Sequence, residues 1–111
     1  MGKQPLATIG HTIHVYDFRV APGTGDTFVA EFAAADKAGT NLMHQSPAQV
    51  KDGVLCRNDD DPDHFYLLGE WSDKEAHKAI WQRVFGGDSL PDRYRNVIGG
   101  TFKPIYATVV V

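Results

Sequence analysis

The stretch that most constrains this chain runs from Val54 to Trp81, VLCRNDDDPDHFYLLGEWSDKEAHKAIW. Two strand-like runs, VLCRN and the aromatic-rich HFYLLGEW, flank the acidic breaker DDDPD. That arrangement predicts a β-hairpin whose tight connection contains Pro62. A helix then begins with no linker. Glu75 follows Ser72 by three residues, the pattern in which a serine oxygen accepts from an early helical N–H while the glutamate reaches back to the serine amide. Beyond it Ala76, Ile80 and Val84 recur at four-residue spacing, with His77, Trp81 and Phe85 in the adjoining row. The apolar stripe turned to the sheet therefore includes two side chains able to hydrogen-bond.

Upstream, TIHVYDFRV (12–20) reads as a strand that stops at Ala21-Pro22-Gly23. His14, Tyr16, Phe18 and Val20 share one of its faces, and the mixed row Ile13, Val15, Asp17 and Arg19 shares the other. The run TFVAEFAAADKAG places Phe28, Phe32 and Ala35 on one helical face and ends at Gly39, a natural C-cap. Residues 40–53 predict a short helical turn started by Ser46-Pro47. After the second helix come Gly86-Gly87, a short helix in SLPDRYRNVI closed by Gly99-Gly100, and a last strand in TFKPIYATVVV. Pro104 marks that strand as an edge or a bulge. Strand, helix, hairpin, helix and strand in this order make the split βαβ arrangement of an α+β, ferredoxin-like domain. Its helices cover one sheet face. Leaving the other bare would expose a large apolar patch, so a homodimer is expected.

The chain has 111 residues, which fits a single domain spanning 1–111. Its formal charge of -3 and its scattered Lys and Arg side chains argue against a nucleic-acid partner. Cys56 is the only cysteine, which excludes an intrachain disulfide and a cysteine-rich metal site. No run approaches the ~20 apolar residues that span a bilayer, and MGKQPLATIGHTIHV lacks a basic segment followed by a long apolar one. The expectation is a cytoplasmic protein with no membrane partner.

IHVYDFRVAPG, then a helix, then the quoted hairpin with its Asp-Pro turn leading into Glu70-Trp71, together resemble the antibiotic biosynthesis monooxygenase family. The resemblance covers most of 12–85 and fades in 40–53 and 86–111. It implies a dimeric α+β barrel and, for activity, a monooxygenase that uses no cofactor and brings O2 to a small aromatic quinol or polyketide-like molecule. Some members instead degrade haem, using an Asn on the first strand, a Trp on the second helix and a later His. Those positions hold Tyr16, Ile80 and Leu90, so that chemistry is not carried over. A haem-binding protein and a non-catalytic ligand-binding or stress-response barrel stay open beside the oxygenase.

Cofactor-free oxygenation requires a base to make the electron-rich substrate anion and a mostly apolar pocket to exclude water. His77 and His14 are the candidate bases, because an imidazole accepts protons near neutral pH; burial as ordinary core residues is the competing role. Tyr16, Phe32, Trp81 and Phe85 are the expected pocket wall, with Trp71 near its rim. Asn58 is a candidate oxyanion donor, and Arg57 is expected in the dimer interface. Asp59, Asp60, Asp61 and Asp63 with His64 lack calcium-loop spacing. The five histidines show no zinc spacing, so no metal is expected. His44 is placed near the pocket mouth.

Overall fold

The computed structural model describes residues 2–37, 41–85, 94, 96–99 and 104–111. In chain order these form β1 (Thr12–Val20), α1 (Gly25–Lys37), a 3-10 turn (Leu42–Gln45), β2 (Val54–Arg57), β3 (His64–Trp71), α2 (Lys74–Phe85), β4 (Val97–Gly99) and β5 (Ile105–Thr108). The strands make one antiparallel sheet in the order β2-β3-β1-β4. β5 also pairs with β1, along Thr12–Val15, while β4 pairs with it at Arg19 and Val20.

The two-residue alternation of β1 decides which side becomes core. His14, Tyr16, Phe18 and Val20 are all buried, and the register sets Tyr16 opposite Leu67 and Phe18 opposite Phe65. α1 lays Phe28 on this face, its ring centroid 5.4 Å from Phe18 and 5.0 Å from Phe65. Phe32 from α1 and Trp81 and Phe85 from α2 close over the same cluster. The opposite face carries Ile13, Val15 and Leu68 in register, with Val54 56% and Ile105 61% exposed beside them. Among the described residues no helix is long and apolar enough to cross a membrane.

Four local expectations are corrected. α2 is capped by Asp73, whose Oδ1 accepts from the Glu75 amide at 3.0 Å, and not by Ser72. The Ser72 amide and hydroxyl both donate to the Ala48 carbonyl, so the serine is drawn sideways to the strand-like segment beside β3. The 3-10 turn starts earlier than Ser46-Pro47 suggested: Asn41 caps it by accepting from the Met43 amide, and Ser46 stands at its end. The end of the expected short helix is instead strand β4. Arg57 does not face the open side; it lies 3.0 Å from Asp26 of α1 and over the Phe65 ring, because its partner in register is the inward-facing Phe65. The expected caps at Gly39 and Gly86-Gly87, and Leu90, lie outside the described residues.

Candidate functional site

The helix-covered face holds a polar cluster at the end of the sheet away from the phenylalanine core. His14 on β1 lies opposite Gly69 of β3 and Tyr106 of β5. Its ring occupies the space left by the missing side chain at Gly69: a Cβ there would sit 2.5 Å from His14 Cε1. Above it, His77 of α2 stacks at 4.3 Å with 22° between planes. The Trp71 ring meets His77 edge-on at 5.0 Å. His77 itself is fully buried, as is Trp71.

Both nitrogens of His77 have phenol partners. Nε2 lies 3.2 Å from the Tyr16 hydroxyl, and Nδ1 lies 2.7 Å from the Tyr106 hydroxyl. A neutral imidazole has one N–H and one lone pair, so one tyrosine donates to it and the other accepts. The result is a continuous hydrogen-bonded chain, Tyr16–His77–Tyr106, from the core toward the half-buried last strand. Burial holds the His77 pKa down to about 4. Burial and, next, the charge of a protonated His77 hold His14 down to about 3. Burial first, then the Tyr106 and Tyr94 hydroxyls, push Tyr16 well above the usual phenol range. Burial, helped by Glu75, pushes Tyr106 up to about 12. At neutral pH the cluster is therefore uncharged, and neither imidazole carries the second proton that would set two positive rings against each other.

Beside it lies a cavity of about 60 Å³. Its inner wall includes His14, Tyr16, His77, Phe32, Phe85 and Tyr94; its more exposed mouth includes Asp36, Asn41, His44, Gln49 and Asp52. His14 presents a buried Nδ1 that has no hydrogen-bond partner among the described residues. The space takes a few water molecules and falls well short of the ~300 Å³ typical of sites for drug-sized ligands.

The residues singled out from the sequence divide into two groups. His14, His77, Tyr16, Phe32 and Phe85 meet at the cavity, and His44 lies at its mouth as placed. Trp71 sits beneath His77 at full burial instead of at a rim. Trp81 is half-buried against Phe85 and does not line the cavity. Asn58 belongs to the hairpin turn, donating to the Tyr66 hydroxyl and accepting from the Asp60 amide. Sequence reading missed Tyr106, which stands 29 residues from His77 in a strand outside the region of resemblance. It also missed the mouth acids Asp36 and Asp52; no local spacing links them.

An antiparallel sheet with two helices on one face and this connectivity is the α+β, ferredoxin-like fold of the antibiotic biosynthesis monooxygenases. Solved structures of that group match along nearly the whole chain. SnoaB from Streptomyces nogalater, a cofactor-independent oxygenase crystallised as a point mutant, superimposes with a TM-score of 0.61 at 15% identity, covering 90% of this chain and 93% of its own. A protein from Chloroflexus aurantiacus assigned as an antibiotic biosynthesis monooxygenase gives 0.59 at 18% identity, with coverage of 91% and 94%. One similarly assigned from Bordetella bronchiseptica gives 0.60 at 16%, with 92% and 99%. No family model matches the sequence, and no curated protein matches it.

Proposed function

We propose that this protein is a cofactor-independent monooxygenase acting on a small aromatic quinol or polyketide-like substrate with O2, working as a homodimer. The observation that carries the reading is His77: a fully buried imidazole at a cavity wall, with both nitrogens held by phenols. The fold likeness to SnoaB, itself a cofactor-independent oxygenase, supports it. In this reading Tyr16, which lines the cavity, takes the proton of a substrate hydroxyl as it passes its own to His77 Nε2, while the His77 Nδ1–H stays donated to Tyr106. A base held at about 4 is weak when the site is empty. The substrate oxyanion that forms beside it raises its affinity for the proton, since an opposite charge favours the imidazolium. His14 lines the same cavity. Phe32 and Phe85 line the cavity and exclude water from it.

The homodimer is supported by the sheet face that Ile13, Val15, Val54, Leu68 and Ile105 share, on which Val54 and Ile105 are more than half exposed. The small cavity favours a second reading, a non-catalytic barrel of the same fold. Oxygen uptake with a panel of hydroquinones separates the two. Turnover that falls ~10²–10⁴-fold in His77→Gln is expected for a general base. Absence of uptake across the panel selects the silent barrel, and unchanged turnover in both His77→Gln and His14→Ala removes the mechanism. Saturable hemin binding at one per chain would select the haem reading.

A further inference from the structure

We infer that the mouth of the cavity is a divalent-cation site formed by Asp36, His44 and Asp52. These residues come from three separate segments: the last turns of α1, the 3-10 turn, and the loop before β2. Yet one ligand atom from each lies within 4.8 Å of the others. His44 Nε2 is the hub, 2.8 Å from Asp52 Oδ1 and 3.4 Å from Asp36 Oδ1. Three ligands bound at the usual 2.0–2.2 Å of a zinc-like ion stand roughly 3.3 Å apart, so small side-chain movements convert this triangle into a coordination face.

The arrangement is poorly served by protons alone. A single N–H on Nε2 is well placed for Asp52 only, and the two carboxylates are left close enough to repel. A dication between them replaces that repulsion with attraction to both, and His44 then binds through its Nε2 lone pair with the proton on Nδ1. One imidazole and two carboxylates suit a first-row ion such as Zn2+ or Mn2+. With 29% of His44, 32% of Asp36 and 60% of Asp52 exposed, coordination positions are left to water or ligand.

A second, independent observation points to a ligand in the same space. His14, 6% exposed, lines the cavity that these residues rim, and its buried Nδ1 lacks a partner among the described residues. A small anion or oxyanion held by the ion at the mouth and reaching inward meets the cavity wall at His14. Binding of the metal does not rest on the oxygenase reading, which uses no cofactor. The site was invisible to motif reading because its members are spaced eight residues apart on either side of His44, with no helical or strand period joining them.

The test is calorimetric titration of EDTA-treated, desalted protein with Zn2+, checked by the visible absorption of Co2+ and with folding confirmed by circular dichroism. One ion per chain is expected. His44→Ala and Asp52→Asn each weaken uptake by more than ~10-fold, the loss that removal of even an outer-shell partner causes, while His11→Ala leaves it unchanged. No saturable uptake up to millimolar ion, or uptake indifferent to both mouth variants, overturns the site. Neither readout depends on substrate, so failure here leaves the oxygenase assay to stand or fall by itself.

Discussion

The two faces of one sheet are built from alternate residues of the same strands and have opposite characters. On the helix side, Phe18, Phe65, Trp71 and His77 are at most 1% exposed. There His77 has partners on both nitrogens, while His14 Nδ1 and Trp71 Nε1 are buried without a partner among the described residues. On the other side, Val54 and Ile105 are more than half exposed, and a groove of about 360 Å³ runs between the N-terminal arm and the chain's end. The arm is pinned there by Glu70, which accepts from the Thr8 amide at 2.9 Å and lies 2.7 Å from His11 Nδ1. These two contacts, the amide first, hold the Glu70 carboxyl below its ordinary range. One face thus has its hydrophobic work completed within the chain, and the other does not. The same sequence period produces both outcomes, because only one face meets the helices.

The contrast is broken most severely by emptying the closed side. Phe65 is fully buried and packs against Phe18 and Phe28, so Phe65→Ala should cost about 3–5 kcal/mol. Urea unfolding at pH 7 measures it; a loss below about 1 kcal/mol would mean that this core is far looser than the ring distances indicate.

Acid attacks the same face through His14 and His77. Both have folded-state pKa values below the ordinary 6.5, about 3 and about 4. The fold favours their neutral forms, so their contribution is complete above pH 6.5 and is lost as pH falls toward those lower values. Stability should drop by on the order of a few kcal/mol between pH 7 and pH 5. Glu70 acts at lower pH, since its depressed carboxyl stabilises above its ordinary 4.5 and loses that contribution only below it. Unfolding midpoints at pH 7 and pH 5 test this, and the drop should shrink in His77→Gln. A flat profile would show the imidazoles to be solvated.

Gly69 links the strand register to the site. Its absent side chain is filled by His14, whose other face is blocked by the stacked His77. Gly69→Ala forces a 2.5 Å contact onto a ring with nowhere to retreat and should cost about 1–3 kcal/mol. The His14 and His77 ring resonances should shift together in the variant's NMR spectrum. Little change in either would mean that His14 has room to move.

Much of this architecture is legible in the sequence where the pattern is short-range. The hairpin strand His64–Trp71 matches HFYLLGEW at both ends, because alternation and an acidic Pro turn are local signals. The inward row of β1 follows for the same reason. The cap of α2 falls one residue later than the sequence suggests because Ser72 and Asp73 both qualify locally, and a contact to Ala48, 24 residues away, decides between them. The site is the least legible part: His77 is visible on its stripe, but its partners Tyr16 and Tyr106 are 61 and 29 residues distant. Local periodicity tells which way a side chain points and not what it will touch.

The smallest effect on the chain's own stability is expected on the open face, and it is the most informative about the comparison. Val54→Ala and Ile105→Ala remove methyl groups that are already more than half in water, so in an isolated chain each should change stability by no more than about 0.5 kcal/mol. If a second copy covers this face, as proposed, the same changes instead weaken association. The unfolding midpoint of the unaltered protein then rises with protein concentration, and light scattering of Val54→Asp shows the mass of one chain where the unaltered protein shows two. A midpoint independent of concentration, with one-chain mass throughout, would leave the open face solvated and remove the dimer. The difference between the two faces would then lie in the sheet itself, not in what each is built to meet.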